Sequence, residues 1–172
     1  MNTYILIYDS FVQFEVTLAA YFMKTQGEVY TLGLEHTAVT SCEGFSVNPT
    51  VILENVDVSS IDLFIIPGGD IDEIAKHEAL LTLIRRLNDA GVIIGGICGG
   101  VSLLKTAGVL DSNLDQSTDS PDANVIINGN IITAKPNGYV DFALEIGKKL
   151  SIFKDEADLQ ETIDFFKYFK SV

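Results

Sequence analysis

Gly96-Ile97-Cys98-Gly99-Gly100 places a thiol inside a glycine-rich junction. The apolar stretch "VIIGGI" before it has strand character, and "GGVSLLKTA" after it has helical spacing. The arrangement fits the G-x-nucleophile-x-G turn from strand to helix. Such a turn crowds the backbone, so side chains two residues before and two after the nucleophile would collide with it. The nucleophile itself is driven into a sparsely populated backbone region, at a cost of about 1–3 kcal/mol. In return the sulfur stands at the C-terminal edge of a sheet, where open α/β folds place their sites. It also stands at a helix N-terminus, which favours a thiolate and predicts a lowered thiol pKa. A free cysteine can equally be a small buried hydrophobe, its glycines serving only close helix–sheet packing. The pentapeptide favours the reactive reading.

A second group with chemical capacity is Glu15, the one charged residue in "FVQFEVTLAAYFM". A helix apolar nearly all round is buried on more than one face. A buried, unpaired carboxylate is costly and tends to stay protonated. A protonated Glu15, just after the first strand, could donate a hydrogen bond to a Cys98 thiolate. The competing reading turns it to solvent or pairs it with a lysine. Gly68 and Gly69, following "FIIP", end another strand at the same edge, and their amides could stabilise an oxyanion. A plain turn capped by Asp70 explains them as well.

The elements that must carry these residues follow from periodicity. "TYILIYD" reads as a strand. A helix follows over residues 11–26, capped by Asp9 or Ser10 and ended near Gly27. "EVYTLGL" is a second strand. Residues 36–56 are irregular, with "FSV" and "TVIL" as small edge strands. "IDLFIIPGGD" is a buried strand, and Asp70 with Glu73 gives a capping-box pattern for a helix that Gly91 ends. Residues 111–122 are polar and loop-like. "NVIINGNIITA" is a hairpin about Asn128-Gly129, and two helices close the chain. Alternating strands and helices imply a mostly parallel sheet covered on both faces, in one domain over residues 1–172.

The 172-residue chain can build a core without staples. Its net charge of −13 argues against nucleic acid and anionic membranes, which reward Lys and Arg. Two cysteines do not make a disulfide framework. The N-terminus lacks the basic start and long apolar run of a leader, so the cytoplasm is the expected location. His36 and His77 both precede Cys98 and read as solvated surface residues. No His, Cys or Asp cluster has ligand spacing, so neither metal nor cofactor is expected.

Taken together, "FIIPGGD", "NDAGVIIGGICGGVSLLKTAGVLD" and "NGNIITAKPNGYVDFALEIGKKL" resemble the ThiJ/PfpI superfamily, within the class I glutamine amidotransferase-like fold. The resemblance runs over nearly the whole chain. It implies an α/β flavodoxin-like three-layer sandwich with a nucleophile elbow, usually dimeric. It implies Cys98 as the elbow cysteine, Glu15 as its buried acidic partner, and Gly68, Gly69 and Gly99 as pocket-forming. The family spans proteases, glyoxalase- and deglycase-type enzymes, chaperones and stress sensors, so membership describes the pocket better than the reaction. This sequence departs from the pattern where protease-like members carry a His directly after the cysteine; Gly99 stands there. The "TAKPNG" region lacks the late His and acid of amidotransferases, and the segment between Leu110 and Val125 is short and has no His. Peptide or glutamine hydrolysis, which must protonate a leaving nitrogen, is therefore disfavoured.

Two readings remain. In the first, Cys98 attacks a small carbonyl substrate, such as an aldehyde or 2-oxoaldehyde. The Gly69 and Gly99 amides hold the oxyanion and Glu15 shuttles the proton. In the second, Cys98 is a redox sensor of oxidants, with Glu15 hydrogen-bonded to the oxidised sulfur and Cys42 the one candidate resolving thiol. A pure binding role ranks below both. Lys135, Asn137 and Tyr139 lie on a loop that could reach the pocket. On the first helix Val12, Val16, Ala19, Ala20 and Met23 exceed what one sheet face needs, which predicts packing against a second copy.

Overall fold

The computed structural model describes residues 1–111 and 124–171. The expected polar loop at 111–122 and the shortened stretch after Leu110 therefore lie mostly outside the described residues. β1 (Asn2–Leu6), β2 (Glu28–Gly33), β5 (Val51–Ile52), β6 (Leu63–Ile66), β7 (Ile93–Ile97), β8 (Val125–Asn128) and β9 (Ile131–Ala134) form one sheet. Its order is β5-β2-β1-β6-β7-β9-β8, parallel except for the terminal β8–β9 hairpin. A separate antiparallel pair, β3 (Val39–Thr40) and β4 (Ser46–Val47), forms a small hairpin.

The strands are apolar on both faces because both faces are covered. In β6, Leu63 and Ile65 pack with α1 (Phe14–Lys24) and α4 (Tyr139–Lys149), while Phe64 and Ile66 pack with α2 (Glu78–Asp89) and α3 (Gly99–Thr106). This alternation is the three-layer, flavodoxin-like sandwich that the sequence predicts. α5 (Glu156–Phe166) lies outside α1, where Phe166 meets Phe22 edge-on with ring centroids 5.3 Å apart.

The chain leaves β1 for β2 through α1 on one face, and leaves β6 for β7 through α2 on the other. Adjacent β1 and β6 thus form a switch point, whose loops diverge and open a crevice at the C-terminal edge.

Several boundaries differ from expectation. α1 begins at Phe14, not at residue 11, and neither Asp9 nor Ser10 caps it. Asp9 Oδ1 instead accepts from the Thr40 amide at 2.9 Å, and Ser10 turns with φ 69°. The stretch after Asp70 does not start a helix at once. Asp70 caps a local turn through the Asp72 amide, a 3-10 turn covers Ile74–Lys76, and α2 starts at Glu78. Its N-cap is His77, half-buried, whose Nδ1 accepts from the Leu80 amide at 3.4 Å; the surface reading of His77 is corrected to a capping role. Gly91 ends α2 with φ 72°, the Val92 amide bonding to Leu87 and the Gly91 amide to Asn88, as in a Schellman stop. In the β8–β9 turn only Gly129 has positive φ, the pattern of a II′ rather than a I′ turn.

The first helix disposes of part of its apolar surplus internally. Val16, Ala19 and Met23 are 3%, 0% and 1% exposed, consumed by the sheet and α4. These three face inward, whereas Val12 and Ala20 are partly exposed. The large apolar side chains that α1 shows to solvent are Phe14 and Tyr21.

Candidate active site

Three strand ends meet at the sheet's C-terminal edge. Cys98 follows β7 as N-cap of α3, with φ 56° and ψ −121°, and its side chain is half-buried. Positive φ in a residue with a Cβ is a strained state. The elbow glycines share the crowding unequally. A Cβ on Gly100 would strike the backbone carbonyl of Ile66, which has nowhere to go. A Cβ on Gly96 would lie 2.6 Å from Leu104 Cδ1, the movable end of a side chain. Gly100→Ala should therefore lower the urea unfolding midpoint more than Gly96→Ala. Equal losses would show that the elbow is held by something other than this contact.

Glu15 is placed by helix periodicity. The buried stripe of α1 is Glu15, Val16, Ala19, Phe22 and Met23, so Glu15 occupies a core-facing position in the first turn. It is 2% exposed. The Gly68 amide donates to its Oε2 at 2.8 Å, and the carboxyl also interacts with the Cys98 thiol. Gly68 is what lets them meet. A Cβ there would lie 2.6 Å from both Cys98 Cβ and Glu15 Oε2, and 2.8 Å from Sγ. The Gly68 amide is thus committed to Glu15, which corrects the expectation that it serves an oxyanion. The amides that act on the sulfur are those of Gly99 and Gly69. Gly69 has φ 135° and packs tightly on Ser10, so the loops after β1, β6 and β7 lock against one another. Ser10 Oγ accepts from the Asp70 amide at 3.1 Å.

The electrostatics follow from burial. Glu15 is raised above the ordinary carboxyl value chiefly by desolvation, which outweighs the Gly68 hydrogen bond. Cys98 is also raised, by burial and then by the charge of Glu15, despite the Gly99 and Gly69 amides pulling it down. The expectation of a lowered thiol pKa is therefore reversed in direction, because burial, and after it the Glu15 charge, outweigh the helix terminus and its amides. Two raised acids in contact hold one proton between them over a broad range of pH, and they titrate as a pair.

Glu15 carries a stability consequence. Its folded form keeps a proton after the unfolded chain has lost it at about 4.5. Stability from this site is fully present below that value and falls as pH rises through the raised folded value. Glu15→Gln, neutral throughout, should lose that downward slope, each pKa unit of elevation counting for about 1.4 kcal/mol. Urea midpoints at a series of pH values between 4.5 and 7 measure it. Parallel pH profiles for the two proteins would contradict the assignment.

Sequence reasoning missed Tyr8, Ser10 and Glu43. Tyr8 is buried; its hydroxyl donates to the Pro67 carbonyl at 3.1 Å, and burial with the nearby Glu15, Cys98 and Asp70 pushes its pKa up. Tyr8, Ser10 and Asp70 also line a cleft of about 450 Å³, where His77 lies as well. His36 is exposed. Tyr139 sets its ring edge-on against Phe14, 5.5 Å between centroids, next to Glu15. Cys42 is an exposed free thiol. Among the described residues no group of three or more His, Cys, Asp or Glu side chains could hold a metal. Among them, too, no helix is long and apolar enough to cross a membrane.

Comparison with known proteins adds to this geometry. The model of the DJ-1/PfpI family matches residues 1–149. Deglycase TK1284 of Thermococcus kodakarensis is 27% identical over 152 residues, covering 80% of this chain and 92% of that protein. Glutathione-independent glyoxalase DJR-1.2 of Caenorhabditis elegans is 29% identical over 136 residues, covering 72% of this chain and 73% of that protein. The crystal structure of the DJ-1 superfamily protein Atu0886 from Agrobacterium tumefaciens superposes with a TM-score of 0.80 at 27% identity, over 98% of this chain and 99% of the other.

Proposed function

The chain belongs to the DJ-1/PfpI family, and from that premise we propose that it is a cysteine-dependent enzyme acting on small 2-oxoaldehydes or their adducts. The observation that carries the reading is the buried Glu15 carboxyl held by the Gly68 amide against the Cys98 thiol. Relatives named as a deglycase and as a glyoxalase support the substrate class.

The chemistry needs one nucleophile and one group that both gives and takes a proton. The Cys98 thiolate attacks the aldehyde carbon, a C–S bond forms, and the carbonyl π pair moves to oxygen. The developing oxyanion meets the Gly69 and Gly99 amides, and protonated Glu15 delivers the proton. Glu15, now ionised, removes the hydrogen of that same carbon and returns it to the neighbouring ketone carbon, while the hydroxyl proton passes from the first oxygen to the second, leaving a 2-hydroxy thioester. Water then cleaves the C–S bond, releasing a 2-hydroxy acid and the thiol. One carbon is oxidised as its neighbour is reduced, so no external oxidant enters. A carboxyl raised by burial suits this exchange, since a base works best with its pKa near the operating pH.

The purified protein incubated with methylglyoxal should yield lactate by NMR, one per aldehyde consumed. Aldehyde loss without lactate, or undiminished lactate from Cys98→Ser, excludes the reading.

The same pair supports a second reading, a redox sensor, because attack of a thiolate on peroxide needs no histidine. Mild peroxide that takes Cys98 to the sulfinic stage by mass spectrometry, in a protein that turns over no carbonyl, would favour it.

A further inference from the structure

α1 lacks a cap of its own. Gln13 at its N-cap offers no side-chain hydrogen bond to the first turn. The cap comes instead from Glu43, on the turn of the β3–β4 hairpin. The Phe14 amide donates to Glu43 Oε1 at 2.9 Å and the Gln13 amide to Oε2 at 3.2 Å. The hairpin is itself tied to the segment that leads from β1 into α1. The Ser10 amide donates to the Thr40 carbonyl at 2.7 Å, and the Cys42 amide to the Phe11 carbonyl at 2.8 Å. One hairpin therefore holds the whole approach to Glu15, and its carboxyl lies one residue from it.

We infer that Glu43 is a positioning residue for the Cys98–Glu15 pair: it anchors the start of α1, and its charge biases the shared proton toward Glu15 and away from the sulfur. The inference rests on the pair described above and names what tunes it. The groups facing Glu15 are Cys98 from the elbow, Glu43 from the hairpin, and Tyr8 from the loop just after β1, with Asp70 acting on Tyr8 in turn. Tyr8 keeps its proton. Glu43 is ionised: slight burial pushes its carboxyl up, and hydrogen bonds from Phe14, Ser41 and Gln13 carry it below the ordinary value. Its repulsion raises Glu15, whereas it is not among the causes acting on Cys98. A charge that acts on one member of a proton-sharing pair shifts where the proton resides.

The pH dependence of Cys98 alkylation by iodoacetamide, followed on the Cys98 peptide by mass spectrometry, tests this without any turnover. Failure of the enzymatic reading therefore leaves the test intact. Glu43→Gln keeps an oxygen for the cap and removes the charge. It should slow alkylation near neutral pH by about 2- to 5-fold, the size expected of one charge acting through a partly screened path. In a Glu15→Gln background the same change should have no effect. An unmoved profile for Glu43→Gln, or equal slowing in both backgrounds, overturns the inference. Glu43→Ala should add a lower urea midpoint through loss of the cap. If that variant does not fold, Glu43→Gln decides alone.

Discussion

Cys98→Ser is expected to lower kcat/KM for a 2-oxoaldehyde by about a thousandfold or more, with circular dichroism and urea midpoint close to those of the parent. The reason lies in how the site makes its nucleophile. In the proposed reaction the sulfur gives up its proton as it attacks, and the neighbour that can take it is a carboxyl whose own acidity is suppressed by burial. A serine hydroxyl, several units less acidic, cannot surrender its proton to a carboxyl. No histidine lines up to help: His77 caps α2 and His36 is exposed. The backbone at position 98 stays at φ 56° whichever oxygen or sulfur it carries, so the strain is common to both proteins. Lactate production measured against enzyme concentration settles it. Activity within tenfold of the parent would mean that another group does the chemistry.

Gly68→Ala should damage activity through a single added methyl. Its added carbon would fall inside contact distance of Cys98 Cβ, Sγ and Glu15 Oε2 at once. Neither neighbour can yield cheaply. Cys98 is fixed by a strained elbow, and Glu15 by the first turn of a buried helix. Overpacking of this kind costs about 1–3 kcal/mol of stability. The functional cost is larger, because separating acid from sulfur breaks the proton sharing. A loss of about a hundredfold in kcat/KM is expected, since misplacement by about an ångström can have that effect. Thermal melts and steady-state rates on the same preparation separate the two effects. A stable variant with full activity would show that the acid and thiol need not touch.

How the pair was assembled also explains what could be read early. The elbow was legible because its constraint is local. A turn that admits no Cβ two residues on from the nucleophile writes itself into five consecutive letters, and Gly100 against the Ile66 carbonyl is that constraint in space. The parallel sheet was legible because β6 and β7 are buried on both faces and so nearly uniformly apolar. Glu15 was legible as an anomaly, a carboxyl in a stripe otherwise made of Val16, Ala19, Phe22 and Met23.

What the chain's letters could not reveal are relations between distant segments. The cap of α1 was sought at Asp9 or Ser10, the residues next to it, and lies 29 residues away on a hairpin. Nor does the sequence say that the sheet and α4 together bury Val16, Ala19 and Met23 of the apolar excess of α1. The sign of the Cys98 shift was read from the helix terminus, a local feature, and was reversed by burial and by a carboxyl 83 residues earlier. Steric rules within a few residues and burial averaged over a strand were determined by the sequence by itself. Desolvation and the balance of charges in the site were decided only by the tertiary fold, since both depend on which segments exclude water from one another.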